Sequence, residues 1–148
     1  MNKLSIPAMR SYKSNPYLLA VMALSAIMLS FAPAFQQRPE PWPAPESAKK
    51  LKNPVPNNAE NISIGKNLYA KHCRSCHGKT GEGDGTKAAE LETFPGDFLT
   101  EEFQAQTDGE IYYKTTEGRK DMPEFKKKIA SDEDRWILVN YLRTLKTE

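Results

Sequence analysis

The residues of this chain best placed to do chemistry are Cys73, Cys76 and His77, in the run Cys73-Arg74-Ser75-Cys76-His77. Two thiols three positions apart on a helical turn can add to the two vinyl groups of one haem. The adjacent histidine then brings an imidazole nitrogen beneath the iron. No other cysteine occurs in the 148 residues.

Haem iron that carries electrons usually takes a second axial ligand from the far side of the ring, and so from a distant part of the chain. Of the methionines Met1, Met9, Met22, Met28 and Met122, only Met122 lies outside the first 35 residues. It sits in a loop restricted by Pro123 and is the expected distal ligand, leaving no open position for a substrate. The alternative for Met122 is a gap-filling core residue. His72 immediately precedes Cys73, so it is tied to the same edge of the ring; it reads as a solvated helix residue.

Other uses of the cysteines fit less well. Tetrahedral zinc needs four ligands, and His72, Cys73, Cys76 and His77 crowd into six positions instead of forming two separated pairs. A dithiol oxidoreductase places its cysteines at a helix N-terminus after a strand, whereas here they close a helical pattern. Gly78-Lys79-Thr80 resembles the end of a phosphate loop, but the first glycine that motif needs falls on Cys73.

The elements that must position these residues are helical. Asn61 is a possible N-cap, and Ile64, Leu68 and Tyr69 lead at helical spacing into the cysteines, with Gly78 as the stop. Gly81-Glu82-Gly83-Asp84-Gly85 is too glycine-rich for regular structure. Thr100-Glu101-Glu102-Phe103 starts a short helix. Asp108 is the expected cap of a helix over 109–117, with Ile111, Tyr112 and Thr115 on one face and Gly118 ending it. Ser131 begins the last helix, with acids at 132–134 in its first turn and a Ser131-x-x-Asp134 pattern like a capping box. Leu138, Tyr141, Leu142 and Leu145 form its apolar stripe; Arg143 and Lys146 favour its C-terminal end. No strand or repeat is evident. About 90 residues of this kind make a thin core, and a large flat cofactor would supply the missing apolar centre.

Charge and composition divide the chain into three zones. Residues 1–59 carry seven Lys/Arg against two Asp/Glu; residues 60–148 carry fourteen against seventeen. The positive excess lies outside the expected domain, which argues against a nucleic-acid binder. Residues 1–35 hold Lys3, Arg10 and Lys13, then an apolar run over 17–35. That order keeps the first end cytoplasmic and exports the rest of the chain. Two readings stand open: a secretory signal cleaved near Ala32-Pro33-Ala34, or a retained membrane anchor. Residues 36–59 are proline-rich and read as an extended linker, with a disordered mature N-terminus as the alternative; within them Glu46–Lys52 can form one or two helical turns lying on the domain. Residues 60–148 form the expected domain.

From about Glu60 to Leu145 the sequence resembles a small monohaem class I cytochrome c of the bacterial type. Gly65 and Tyr69 match the small residue and the aromatic of that family's N-terminal helix, and Leu138 and Tyr141 match its C-terminal helix. Met122-Pro123 matches the distal-ligand loop, and the run from Asp108 to Arg119 is similar to the stretch preceding that loop in the family. The resemblance implies an all-α cytochrome c fold, three to four helices and long loops around one haem, preceded here by the apolar segment and the linker. It implies close crossing of the two terminal helices. Cys73 and Cys76 would be the thioether residues, and His77 and Met122 the axial ligands of a single haem c. It also implies that a proline carbonyl, Pro95 by position, accepts a hydrogen bond from His77. Tyr112, Tyr113, Arg119 and Trp136 are candidates for the propionates or ring edge, with plain packing as the alternative for each. Lys126, Lys127 and Lys128 are a candidate docking patch, with a solvated face as the alternative.

The expected function is one-electron transfer in an extracytoplasmic, periplasmic respiratory chain, with redox proteins as donor and acceptor and no substrate-transforming residues. The alternatives are an open-site haem enzyme and a subunit of a larger oxidase, peroxidase or dehydrogenase.

Overall fold

The computed structural model describes residues 42–146. The apolar run over 17–35 and its two readings lie outside these residues. Among the described residues there are six α-helices: α1 (Glu46–Lys49), α2 (Ala59–His72), α3 (Arg74–His77), α4 (Glu101–Gln104), α5 (Asp108–Glu117) and α6 (Asp132–Arg143). A single 3-10 turn spans Ala88–Glu90. No strand is present among them; the one β-bridge joins Arg119 to Met122. The all-α expectation holds. No described helix is long and apolar enough to cross a membrane.

Most of these helices begin where a short polar side chain can satisfy the first free N–H groups. Two of the caps differ from expectation. Asn58, not Asn61, caps α2, accepting from the Asn61 N–H at 2.9 Å; Asn61 instead donates its side-chain amide to Pro56 O. Thr107, not Asp108, caps α5. It shares a reciprocal capping box with Glu110, whose carboxylate accepts from the Thr107 N–H at 2.8 Å. Asp108, released from that duty, pairs with Arg143 at 2.7 Å. The expected caps Thr100 and Ser131 are both present. Ser131, three residues before Asp134, is a legible signal, whereas the choice among neighbouring polar residues such as Thr107 and Asp108 depends on the incoming backbone.

Helices α2 and α6 cross at Gly65. A Cβ on Gly65 would lie 2.7 Å from Tyr141 Cβ and 2.8 Å from Ile137 O, so only glycine lets the backbones approach this far. One turn later, the Tyr69 and Tyr141 rings meet at 5.3 Å. Tyr69, Leu138 and Val139 are the largest fully buried side chains. The close crossing implied by the resemblance is present, between the residues named for it.

The last helix is more enclosed than its stripe suggests. Every residue from Arg135 to Leu142 is buried, including Asn140 on the side opposite Leu138. Its cover is the proline-bearing segment. Asn53 Nδ2 donates to Trp136 O at 3.2 Å and to Asn140 Oδ1 at 2.8 Å. Asn140 Nδ2 donates to Val55 O and Pro56 O. Further back, Ala44 and Ala48 are buried, and α1 packs on α5. From Trp42 to Asn58 the segment therefore follows the surface of the helices instead of standing clear as a spacer. Proline has no N–H to give a ladder, but its carbonyl can accept from a side-chain amide, and Asn140 uses Pro56 so.

Candidate haem site

Cys73 breaks the first long helix. Its φ of −116° and ψ of −36° end α2 and start α3, while its N–H still bonds Tyr69 O. This bend brings Cys73, Cys76 and His77 onto one turn. A helix of four residues leaves most of its carbonyls without partners, and the glycine-rich loop supplies them. Gly83 N donates to His77 O at 2.9 Å, Gly85 N to Cys76 O at 3.2 Å and Lys87 N to Ser75 O at 2.8 Å. Tyr69 Oη donates to Gly78 O at 2.8 Å. The run that sequence shows only as irregular is thus the clamp that holds the turn.

Both cysteines are free thiols, Cys73 buried and Cys76 half-buried. Burial, with the neighbouring Cys76 second, pushes the Cys73 thiol up to about 12. A thiol kept protonated at neutral pH is a poor redox nucleophile, which weighs against the dithiol reading. Among the described residues no three His, Cys, Asp or Glu side chains gather to hold a metal ion; His72, Cys73, Cys76 and His77 do not converge.

His77 is 9% exposed, and burial lowers its pKa to about 4. The imidazole is neutral at physiological pH, so it keeps a lone pair for iron. Its Nδ1 is buried without a hydrogen-bond partner. The bond expected from Pro95 is therefore not made here. Instead the ring stacks on Phe98, with centroids 4.5 Å apart and planes 26° apart. Phe98 is held there by its own N–H, which donates to Gly81 O. Phe98 was not legible as a site residue. It shares its loop with Phe94 and Leu99, and nothing in the sequence sets it apart from them. A buried imidazole with an unsatisfied Nδ1, beside two cysteines that form no disulfide, fits a covalently held haem.

Met122 stands in a separate, rigid frame. Its N–H and C=O exchange bonds with Arg119, at 2.9 and 2.8 Å. Gly118, at φ 66°, turns the chain into this hairpin, and a Cβ there would meet Met122 O at 2.5 Å. The Asp121 carboxylate, next to Met122, accepts from the N–H groups of Glu92 and Thr93. The half-buried Met122 packs against the same cluster that contains Cys73. The guanidinium of Arg119 lies 4.7 Å from the Trp42 ring centroid, a contact contributed by the proline-bearing segment.

The remaining candidates separate. Tyr112 stacks on Trp136 at 3.9 Å and 11°, and its hydroxyl bonds Asp132 and accepts from Arg135. These two rings have packing roles in this structure. Tyr113 is half-buried. His72 is not simply solvated: it is half-buried, edge-on to Phe125 at 6.1 Å. Of the basic run, Lys126 pairs with Glu117 and Glu124, Lys127 with Glu124, and Lys128 lies over the Phe125 ring. Local carboxylates and an aromatic face already occupy the expected docking patch.

The family described as cytochrome c oxidase, cbb3-type, subunit III matches residues 60–142, more than half of the chain. The chain belongs to this family of c-type cytochromes. It is a small class I cytochrome c, a type that binds haem c covalently and uses it in electron transfer. A solved chain of the Kuenenia stuttgartiensis reducing HAO-like protein complex Kustc0457/Kustc0458 is 33% identical, with a TM-score of 0.59. That match covers 82% of this cytochrome and 57% of the other chain, so the cytochrome spans little more than half of that neighbour. A second structure, the KustC0563 c-type cytochrome, is 32% identical with a TM-score of 0.50. There the match covers 56% of this chain and 98% of the other. No curated protein matches the chain.

Proposed function

We propose that the cytochrome is an exported one-electron carrier with a single haem c, held through Cys73 and Cys76 and ligated by His77 and Met122. When bound, the haem supplies reversible one-electron chemistry at iron. The protein's part is to fix the ligands. The N–H groups of Gly83, Gly85 and Lys87 clamp the turn that carries His77, and the exchange of bonds with Arg119 fixes the backbone at Met122. Fixed ligands would reduce rearrangement between oxidation states, and Met122 together with His77 would favour a high potential. The observation that carries the reading is the buried, neutral His77 with an unpartnered Nδ1, one residue from a free thiol. The N-terminal charge order supports an extracytoplasmic, periplasmic location, where thioether attachment and respiratory redox partners are found.

The test is spectroscopic. Alkaline pyridine on the purified protein should give a c-type haemochrome with one haem per chain. The ferric protein should show the weak far-red band of methionine–iron bonding, and Met122→Ala should abolish it. An unchanged spectrum in that variant contradicts the distal assignment and favours an open-site haem protein. A second reading, a subunit of a larger redox assembly, is favoured by the neighbour that belongs to a protein complex. Co-purification of the native protein at fixed stoichiometry with a larger redox protein would select it over the free carrier.

A further inference from the structure

A groove of about 450 Å³ opens between α2, α3 and the end of α6. The buried rings of Tyr69 and Tyr141 and the half-buried Leu145 line its apolar wall, while the exposed Lys66, Arg74 and Lys79 stand around it. None of these three cations has a hydrogen-bond or ion-pair partner among the described residues. They contrast with Lys126 and Lys127, which local acids neutralise. They also stand out within residues 60–148, where acids outnumber bases seventeen to fourteen. Unpaired positive charge beside an apolar wall attracts anions more strongly than the same charge in open water.

The wall is connected to the candidate haem ligand. The Tyr69 ring meets Phe98 edge-on at 6.4 Å, and Phe98 stacks on His77 at 4.5 Å. Two aromatic contacts separate the groove from the imidazole. We propose that this groove docks the acidic face of a redox protein, which exchanges single electrons with the cytochrome on its His77 side. The electron step rests on the haem reading above; the docking rests on the charges and the groove. A haem held through Cys73, Cys76 and His77 would take up the single electron that a reduced partner loses, with no bond made or broken.

Two probes test this. Hexacyanochromate(III), a redox-inert paramagnetic trianion, should broaden the amide resonances of Ala70, Thr80 and Leu99 in the ferrous protein more than those of residues 126–128. Uniform broadening, or broadening centred on 126–128, overturns the site. Reduced flavodoxin, an acidic one-electron donor, should reduce the ferric protein about tenfold more slowly at low ionic strength when Lys66, Arg74 and Lys79 are all changed to Gln. The difference should shrink in 1 M salt, where screening acts within about 3 Å. The matching Lys126→Gln, Lys127→Gln, Lys128→Gln protein should stay close to wild type. All of the substituted side chains are exposed, and Lys79→Gln alone should give a smaller change in the same direction. Equal slowing by the two triple variants, or none by either, overturns the docking proposal. So does failure of flavodoxin to reduce a protein that dithionite reduces. Anion binding in the groove without any flavodoxin effect reduces it to a small-anion site. Failure of dithionite to reduce the protein would instead overturn the carrier reading itself.

Discussion

Gly65 and Tyr141 hold α2 and α6 in contact: a Cβ on the glycine would lie 2.7 Å from the tyrosine Cβ. Neither partner can move aside, because the second obstruction is backbone, Ile137 O at 2.8 Å. Gly65→Ala should therefore separate α2 from α6, although alanine is the better helix former by about 1 kcal/mol. Overpacking costs about 1–3 kcal/mol, so the net loss should be up to about 2 kcal/mol. Urea unfolding followed by circular dichroism measures it as a lower midpoint at unchanged slope. A midpoint equal to or above wild type would mean that the crossing is looser than described.

That contact was legible through the family resemblance, which matches Gly65 and Tyr69 in the first long helix of the domain with Leu138 and Tyr141 in the last. The helices around 101–104, 108–117 and 132–143 were legible from polar residues at their starts and apolar residues at helical spacing, and the gathering of Cys73, Cys76 and His77 on one turn from their spacing. The features that sequence did not reveal depend on long-range meetings. Asn53 and Asn140 lie 87 positions apart, and nothing local in either announces the pair. Phe98 reaches His77 only because Gly81 accepts its N–H. Lys126 and Lys127 look like a free basic run until the fold brings Glu117 and Glu124 beside them.

Asn140 makes the proline-bearing segment part of the fold. It is 5% exposed and exchanges bonds with Asn53, Val55 and Pro56. Asn140→Leu removes a donor on which two carbonyls depend and leaves the Asn53 amide with one acceptor fewer. The expected cost is about 2 kcal/mol, and residues 42–58 should become the first site of limited proteolysis. Asn53→Ala should produce the same cleavage, and the double variant should lose less than the sum of the single losses. Full additivity would show that the two asparagines act independently.

Glu110 makes α5 sensitive to acid. The Thr107 N–H donated to its carboxylate is the largest influence holding its pKa below the usual value of 4.5. A carboxyl with a depressed folded pKa binds protons less readily folded than unfolded. Its contribution is thus complete above the unfolded value and is lost as pH falls through the folded one. Glu110→Gln keeps a capping-box side chain but cannot titrate, so stability below about pH 4.5 should fall less steeply than in wild type. Thr107→Ala removes the other half of the box and should cost about 1 kcal/mol at neutral pH. Denaturant midpoints from pH 3 to pH 7 measure both effects, and parallel wild-type and Glu110→Gln curves would contradict the assignment.

Trp42 links the proline-bearing segment to the Met122 hairpin. Its ring lies 4.7 Å from the Arg119 guanidinium, and Arg119 exchanges both of its main-chain bonds with Met122. A cation held on an indole face loses part of its freedom, and the hairpin that carries it stiffens; such a contact contributes about 0.5–1 kcal/mol where solvent has access. Trp42→Ala should loosen the hairpin without touching the turn at Cys73–His77. Hydrogen exchange at the Met122 N–H should then quicken while that at Cys76 and His77 stays the same. If Met122 is the distal ligand, a weaker hold on it also favours any competitor for the iron. Added imidazole should therefore bind the ferric variant about two- to fivefold more tightly, in line with a loss of that size. Trp42→Phe, which keeps an aromatic face, should recover most of the difference. Faster exchange without tighter imidazole binding would show that the hairpin moves but Met122 does not hold the iron.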